Sequence, residues 1–472
     1  MLHALVLGAA LALGQTSPYS QEPPEDQATL TLVGAAEQAA AAAAPEKEKE
    51  PIQISAPLLP APTPPAAPAA AAAAVAPPPR WALMKELQGT WPGAMLDENR
   101  MQVTGWIDSS FTASSTDDSN LPLEFNHRAN QFLMQQAWVR LARSVVTTGT
   151  SEPTYGFQSD WIFGSDYRFT LSRGVFNEQL IEKNGLPTLY GVDPVQFYGE
   201  AYYPTIGRGL DVKVGRFYTP FGVESIEAVS SPFLSHSYTF NFGPFTHTGV
   251  LATLTMTPVW TAQAGIVAGE DIILFNTSDS PTVIGTIQWT QPQGTQSVSR
   301  NIVKFTSILG TGDFDIGGAQ SNFNLFDVVW THNCNPVLAI NLEANYTWMR
   351  NVPDQTASDG STVHIDKTNW ESLASYVALT LSARLVAQAR FELFNDPQGV
   401  RTSSFTVPGG PPTVTDAKGL YEAITVGLIW TPRINKSIII RPELRYDHND
   451  ESTPFEGHHG LFTAATDVIL RY

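Results

Sequence analysis

Residues that could perform chemistry are few in this chain of 472 residues. His236 lies between Ser235 and Ser237, and hydrolases build a nucleophile and its base from a serine and a histidine. Because adjacent residues of a strand point to opposite faces, this spacing does not form a catalytic dyad. We therefore predict that the chain is not an enzyme.

Candidate metal ligands are equally weak. His448 and the pair His458 and His459 lack the carboxylate or cysteine spacing of a zinc site. Asp313 and Asp315 lie in a glycine-rich segment that does not match the EF-hand template, so a turn is favoured there. The sequence predicts no metal and no cofactor.

Composition restricts the class of protein. The formal net charge is −18, which argues against a nucleic-acid partner because such partners bind basic surfaces. Charged residues make up 15% of the chain and aromatic residues 10%. Few charges with many aromatics are typical of a barrel whose outer wall faces lipid. The single cysteine, Cys334, cannot form an internal disulfide.

The N-terminal part differs in composition from the rest. We predict a signal peptide over 1–14, from an apolar run that ends in small residues, although its first residues carry no Lys or Arg. The Ala- and Pro-rich segment 15–80 is predicted to be a periplasmic linker, either a plain spacer or a tether that reaches the cell wall. We expect a short helix and lead-in over 81–101. No later apolar stretch is long enough for a membrane-spanning helix.

From residue 102 onward, apolar and polar residues alternate. Between Val337 and Trp348, every second residue is apolar from Leu338 onward, and the intervening positions include Asn341 and Glu343. This period of two predicts strands with one apolar face. The predicted strands are 102–114, 131–145, 154–166, 195–206, 208–217, 246–257, 259–269, 282–290, 298–309, 324–333, 337–350, 370–382, 385–394, 419–431, 437–447 and 459–472.

The connections alternate in length. Short connections occur at 206–208, 257–258, 334–336, 383–384 and 431–436. Long connections lie between them, at 115–130, 167–194, 218–245, 270–281, 310–323, 351–369, 395–418 and 448–458. Short turns on one side and long loops on the other are typical of bacterial outer-membrane barrels. We predict an all-β, antiparallel, up-and-down transmembrane barrel of about 16 strands (range about 12–16) over 102–472.

The last predicted strand carries an apolar face to the end of the chain. Val468, Leu470 and Tyr472 share that face, and an alternating last strand with a terminal aromatic is the pattern that outer-membrane assembly machinery binds. We predict these three residues to be the assembly signal, although the usual terminal residue is Phe.

Several segments resemble the OmpL-like β-barrel porin family. They are 105–108 (GWID), 125–130 (FNHRAN), 212–218 (VKVGRFY), 235–249 (SHSYTFNFGPFTHTG) and 441–447 (RPELRYD). The resemblance extends over about 102–472 and implies an outer-membrane pore without catalytic residues.

If the apolar faces meet lipid, the opposite faces line the lumen. We predict that charged residues on those faces form the lumen wall, acting either in ion selectivity or in ion pairs that brace the barrel. They are Lys213, Arg390, Glu392, Arg441, Glu443, Arg445 and Asp447.

The long loop 218–245 is rich in aromatics and prolines. We predict that it enters the lumen and narrows the pore through Glu224, Glu227 and His236; the alternative is a lid over the rim.

Together these patterns predict a porin for passive diffusion of small polar solutes or ions. The alternatives are a porin selective for one nutrient and a structural or adhesive barrel with a plugged lumen. The expected partners are the lipid bilayer, the outer-membrane assembly machinery and the solutes. A homo-oligomer and contact of the linker with the cell wall remain open.

Overall fold

The computed structural model describes residues 80–172, 174–176, 179, 188–273, 280–293, 300–311, 322–350, 355–356, 362–363, 366–403 and 417–472. The predicted signal peptide, the predicted linker up to residue 79, and Asp313 and Asp315 lie outside these residues.

Sixteen antiparallel strands close into one barrel, in which each strand pairs with its neighbours along the chain and the first pairs with the last. All sixteen predicted strands are present, with ends that differ by a few residues. The barrel strands are β1 (Met101–Ser114), β2 (Gln131–Arg143), β3 (Thr154–Gly164), β4 (Gly191–Tyr203), β5 (Leu210–Tyr218), β6 (Thr246–Thr255), β7 (Trp260–Val267), β8 (Thr282–Thr290), β9 (Asn301–Gly310), β10 (Asn324–Asn335), β11 (Leu338–Arg350), β14 (Lys367–Ser382), β15 (Leu385–Asp396), β16 (Gly419–Trp430), β17 (Ile438–Asn449) and β18 (Gly460–Arg471). Two short strands between β11 and β14, β12 (Gln355–Thr356) and β13 (Thr362–Val363), pair with each other.

The period of two in the sequence corresponds to the two faces of the wall. In β11, Asn341 and Glu343 are buried on the inward face, whereas Leu338 and Ile340 are half-buried on the outward face. Across the barrel, large apolar side chains remain exposed outward, as in Phe132, which is 68% exposed. Lipid rather than water is the environment that suits such a surface.

The connections differ between the two ends. Turns at 336–337 and 383–384 have two residues each, whereas the connection between β5 and β6 extends from residue 219 to residue 245. The chain enters and leaves the barrel at the end with the short turns. We expect that end to face the periplasm and the long loops to face outward, as is usual in outer-membrane barrels.

Over 80–100, the described residues ahead of β1, two short helices are present where the sequence predicts one. They are α1 (Ala82–Glu86) and α2 (Trp91–Glu98), and the Thr90 hydroxyl caps α2 by accepting from Gly93 N at 3.2 Å. Trp81 packs on Trp106 of β1, with ring centroids 6.3 Å apart. Among the described residues, no helix is both long and apolar enough to cross a membrane.

The C-terminal residue completes the closure between β18 and β1. Tyr472 donates its N–H to Gly105 O at 2.9 Å and its hydroxyl hydrogen to Trp138 O at 2.7 Å. Its ring lies directly over Gly105, where a Cβ atom would stand only 2.6 Å from the ring. Val468 and Leu470 are on the outward face of β18, 45% and 41% exposed. Closure of the barrel thus depends on a glycine and an aromatic residue from opposite ends of the barrel sequence.

Candidate functional site

The connection 219–245, called here the inner loop, lies inside the barrel. Its base is closed by a hydrogen bond from Thr219 N to Phe245 O of 3.0 Å. From there it crosses the lumen, and its residues contact inward-facing side chains of β9, β10 and β14–β17. The loop contains a 3-10 helix (Ala228–Ser230) and a short α-helix (Tyr238–Asn241), whose first turn is capped by the Ser237 hydroxyl. Another short α-helix (Tyr167–Thr170) belongs to the loop between β3 and β4.

The neck of the inner loop is a tight bend at Gly222. This residue has φ of +80°, a conformation that residues with a Cβ atom seldom adopt. Its N–H points at Asp327 of β10 at 3.4 Å, and Lys304 of β9 donates to the carbonyls of Pro220 and Gly222 at 2.8 and 3.0 Å. The bend directs the chain from the loop base toward the far side of the lumen.

Glu224 is the centre of the contacts that follow. Its carboxylate accepts from Arg390 at 3.0 Å and from the Tyr376 hydroxyl at 3.0 Å, and lies 2.7 Å from His236 Nδ1. Burial opposes its ionisation, but Arg390 and His236 outweigh that effect and lower the pKa of Glu224 to about 2. Burial lowers the pKa of His236. A neutral imidazole that donates to an ionised carboxylate is consistent with both shifts.

Three arginines of the wall bind the backbone of the inner loop. Arg441 donates to the carbonyls of Ala228 and Ser231 at 2.8 and 2.6 Å. Arg390 donates to Ser235 O at 2.8 Å, and Arg445 donates to His236 O at 3.0 Å. All three guanidinium groups are 2% exposed or less.

Three carboxylates of the same wall accept from the loop. Glu443 accepts from Leu234 N at 2.8 Å, and Glu392 accepts from Tyr238 N at 2.7 Å. Asp447 accepts from the Tyr238 hydroxyl at 2.9 Å. Two of these carboxylates also pair with the arginines, because Glu392 lies 2.7 Å from Arg390 and Asp447 lies 2.7 Å from Arg445. The wall therefore supplies both donors and acceptors to a backbone that has no regular hydrogen-bonding pattern of its own.

The inward face of β14–β18 is called here the anchoring wall. Its charged residues have the predicted positions, but their contacts differ from the prediction that they line an open lumen. The alternation in the sequence places Arg390, Glu392, Arg441, Glu443, Arg445 and Asp447 on the inward face, where the structure also has them. They contact the inner loop rather than a water-filled lumen, and each is buried.

Glu227 contacts another part of the barrel, which is formed by β2 and β3. It forms an ion pair with Arg140, whose Nε donates to Asp160 at 2.7 Å. Nearby, Gln136 of β2 accepts from Ala228 N at 3.1 Å and donates to Ile226 O at 2.8 Å. Nothing in the local sequence pattern distinguishes Gln136 from other inward-facing polar residues.

A cavity of about 410 Å³ lies on the other side of the inner loop. Its barrel side is the inward face of β3–β7, called here the cavity wall. The polar lining residues of this wall are Gln158, Gln196, Tyr198, Lys213 and Gln263. Lys213 is 3.6 Å from Glu200, and its side chain is 30% exposed. Of the seven charged residues predicted to line the lumen, Lys213 alone is at the cavity.

Side chains of the weak chemical motifs that the structure describes are engaged in other contacts. His236 is engaged by Glu224, and the Ser235 hydroxyl accepts from Arg390 at 3.2 Å. His448 pairs with Asp450 at 2.8 Å at an exposed position. Within the described part of the chain, no group of three or more His, Cys, Asp or Glu side chains is arranged to hold a metal ion.

Comparison with protein families identifies one that covers the whole barrel. Residues 100–471 match the family described as "Putative beta-barrel porin-2, OmpL-like". The chain belongs to this family. It is an outer-membrane channel protein, a porin, embedded in the lipid bilayer and passed by small solutes.

Solved porin structures resemble the chain weakly. The anion-selective porin of Comamonas acidovorans covers 79% of this chain and 99% of its own, at 8% identity and a TM-score of 0.49. The match to Pseudomonas putida OprB covers 81% of this chain and 96% of that protein, at 12% identity and a TM-score of 0.49. The match to Salmonella typhi OmpF, in complex with daunomycin, covers 80% of this chain and 98% of that protein, at 12% identity and a TM-score of 0.49. None of these bears on which solute this porin carries. No curated protein matches the chain.

Proposed function

We propose that small polar solutes diffuse passively through this porin by way of the cavity between the inner loop and the cavity wall. The supporting observation is that polar side chains line this space, whereas buried contacts fill the space between the inner loop and the anchoring wall. Glutamine and tyrosine side chains can both donate and accept hydrogen bonds, so they can replace part of a solute's hydration shell.

The charges around the cavity are balanced. Arg140 pairs with Asp160 and Glu227, and Lys213 is next to Glu200. Paired charges produce a weaker field than a ring of one sign, so we propose that the channel discriminates little between cations and anions. Uncharged polar solutes small enough for the cavity are then the solute class that it suits best.

Conductance tests this proposal. Purified protein in planar bilayers is expected to give discrete, ohmic conductance steps, and liposomes that contain it are expected to swell with monosaccharides but not with large oligosaccharides. Folded, heat-modifiable protein without conductance or swelling would instead support a plugged structural barrel. The aromatic residues inside the barrel, such as Phe242, Phe394 and Tyr421, favour that alternative, because they occupy part of its cross-section.

We also propose that residues 1–14 direct export and that assembly machinery binds the last strand through Val468, Leu470 and Tyr472. Tyr472→Ala is expected to lower the amount of heat-modifiable barrel in the outer membrane without lowering export. As a control, Tyr155→Ala removes an exposed tyrosine at the same end of the barrel. Equal barrel levels for both variants would contradict a special role for Tyr472. An oligomeric state and contact of 15–80 with the cell wall remain predictions.

A further inference from the structure

A row of aromatic side chains crosses the outward face of three adjacent strands. Phe305 of β9 contacts Phe326 of β10, Phe326 contacts Trp348 of β11, and Trp348 contacts Tyr346, with ring centroids 5.9, 5.1 and 5.7 Å apart. Phe305 and Phe326 are 39% and 42% exposed. This aromatic row lies in the half of the barrel near the long loops.

Two positive charges lie immediately beyond the aromatic row. Arg350, two residues after Trp348, is directly opposite Lys367 of β14 in the strand register, and both side chains are exposed. Arg350 Nη2 donates to Gly310 O at 3.2 Å, and neither cation has an ion-pair partner among the described residues. Like charges directly opposite each other destabilise a strand pair.

Among the residues that the structure describes, nearby acidic groups do not offset this repulsion. Asp366 is exposed and adjacent to Lys367 in the chain, but forms no ion pair with either cation. Glu371 is opposite Tyr346 in the register, four residues from Lys367, which corresponds to about 13 Å along a strand. A bound anion between Arg350 and Lys367 would convert the repulsion into two attractive contacts.

We propose that the aromatic row and the pair Arg350–Lys367 form a binding site for a phosphate-bearing lipid of the outer leaflet. Acyl chains would pack on the rings, because aromatic side chains at membrane interfaces present an apolar surface to lipid while they lie next to polar groups. The phosphate would accept charge-assisted hydrogen bonds from the guanidinium and the ammonium. This site faces lipid, so it is separate from the proposed solute path; it rests on the outer-membrane location and on the outward position of the long loops.

The experiment measures binding of bisphosphorylated lipid A to the full-length barrel in detergent by native mass spectrometry. We expect the double variant Arg350→Gln, Lys367→Gln to bind at least about tenfold more weakly, because charge-assisted hydrogen bonds are the stronger ones. The matched control is Arg433→Gln, Lys436→Gln, which removes two exposed cations from the short-turn end. The control is expected to bind as the wild type does, and both variants are expected to keep wild-type conductance.

Three outcomes would overturn the proposal. They are equal binding by wild type and the Arg350, Lys367 variant, equal binding of dephosphorylated lipid A, and full competition by inorganic phosphate at the same concentration. The last result would identify a free-anion site instead. If the double variant does not fold, Lys367→Gln alone is compared, since Lys367 makes no side-chain hydrogen bond among the described residues. Unchanged conductance leaves the pore proposal standing in each case.

Discussion

The anchoring wall and the cavity wall are inward faces of the same barrel, yet they have different roles. On the anchoring wall, Arg390 and Arg445 are at most 1% exposed and bind loop carbonyls. On the cavity wall, Lys213 keeps 30% of its side chain exposed and contacts no residue of the inner loop through a hydrogen bond or ion pair. One wall binds the inner loop, and the other lines the cavity through which we propose that solute passes.

The difference shows what determines the position of a loop inside a barrel. A loop that leaves water must find partners for its backbone N–H and C=O groups. β17 offers them in a row, because Arg441, Glu443, Arg445 and Asp447 occupy every second position. On the cavity wall, Lys213 lies 3.6 Å from Glu200 of the same wall instead.

The largest expected effect comes from removing an arginine of the anchoring wall. Arg390→Ala leaves Glu224 and Glu392 buried without their main partner, and breaking a buried pair in this way typically costs about 3–5 kcal/mol. We expect a lower unfolding temperature and a larger, noisier conductance as the inner loop loosens. Lys213→Ala is the control and should change the unfolding temperature little. Equal losses for both variants would remove the distinction between the walls.

A smaller effect is expected at the neck of the inner loop. Gly222→Ala places a Cβ at φ of +80° and 3.2 Å from Glu343 Oε1, so we expect a loss of about 1–2 kcal/mol. Chemical denaturation measures this loss, with Gly199→Ala of β4 as the control, because nothing lies within 4 Å of a Cβ there. If the denaturant concentration at the unfolding midpoint of Gly222→Ala equals that of the wild type, the stability of the barrel does not depend on a glycine at this bend.

On the cavity wall we expect a change in selectivity rather than stability. Lys213→Glu places a third carboxylate near Glu200 and Asp211 and should move the reversal potential in a salt gradient toward cation preference. Lys436→Glu, in a turn outside the lumen, is the control of equal charge change. A reversal potential that does not respond to Lys213→Glu would place the solute path elsewhere.

The smallest effect concerns pH. Because the pKa of His236 is lowered by folding, the unfolded chain takes up a proton first, and stability falls as the pH drops below the ordinary value of 6.5. Glu224 keeps its contribution above its ordinary 4.5 and loses it as the pH falls toward about 2. The unfolding temperature of His236→Gln should therefore depend less on pH between pH 7 and 5. If the unfolding temperature of His236→Gln changes with pH as steeply as that of the wild type, His236 is not neutral in the folded protein.

The sequence predicts the barrel well because its signals are local. Alternation with a period of two assigns the strands and their inward faces, and connection lengths assign the two ends. One exception is Trp106, which is buried on the inward face and stacks on Trp138 at 4.7 Å, whereas Trp430 is exposed outward. Position along a strand does not by itself reveal which face an aromatic residue occupies.

The contacts of the inner loop could not be predicted in the same way. Glu224 and Arg390 are 166 residues apart, and no local pattern connects them. Two segments that carry the resemblance to the family, 235–249 and 441–447, meet in the structure, where Ser235 and His236 contact Glu443 and Arg445. The alternating charges of 441–447 are the available signal, but on their own they fit a lumen lining as well as a loop anchor.

Cysteine accessibility tests most directly whether the cavity wall alone lines the solute path. In a Cys334→Ser background, Lys213→Cys and Thr425→Cys place one thiol on the cavity wall and one behind the inner loop, where Thr425 is fully buried. We expect a water-soluble methanethiosulfonate reagent to reduce the current through Lys213→Cys channels and to leave Thr425→Cys channels unchanged. Equal reduction of current at Thr425→Cys would show that the anchoring wall is open to solute and would contradict the account.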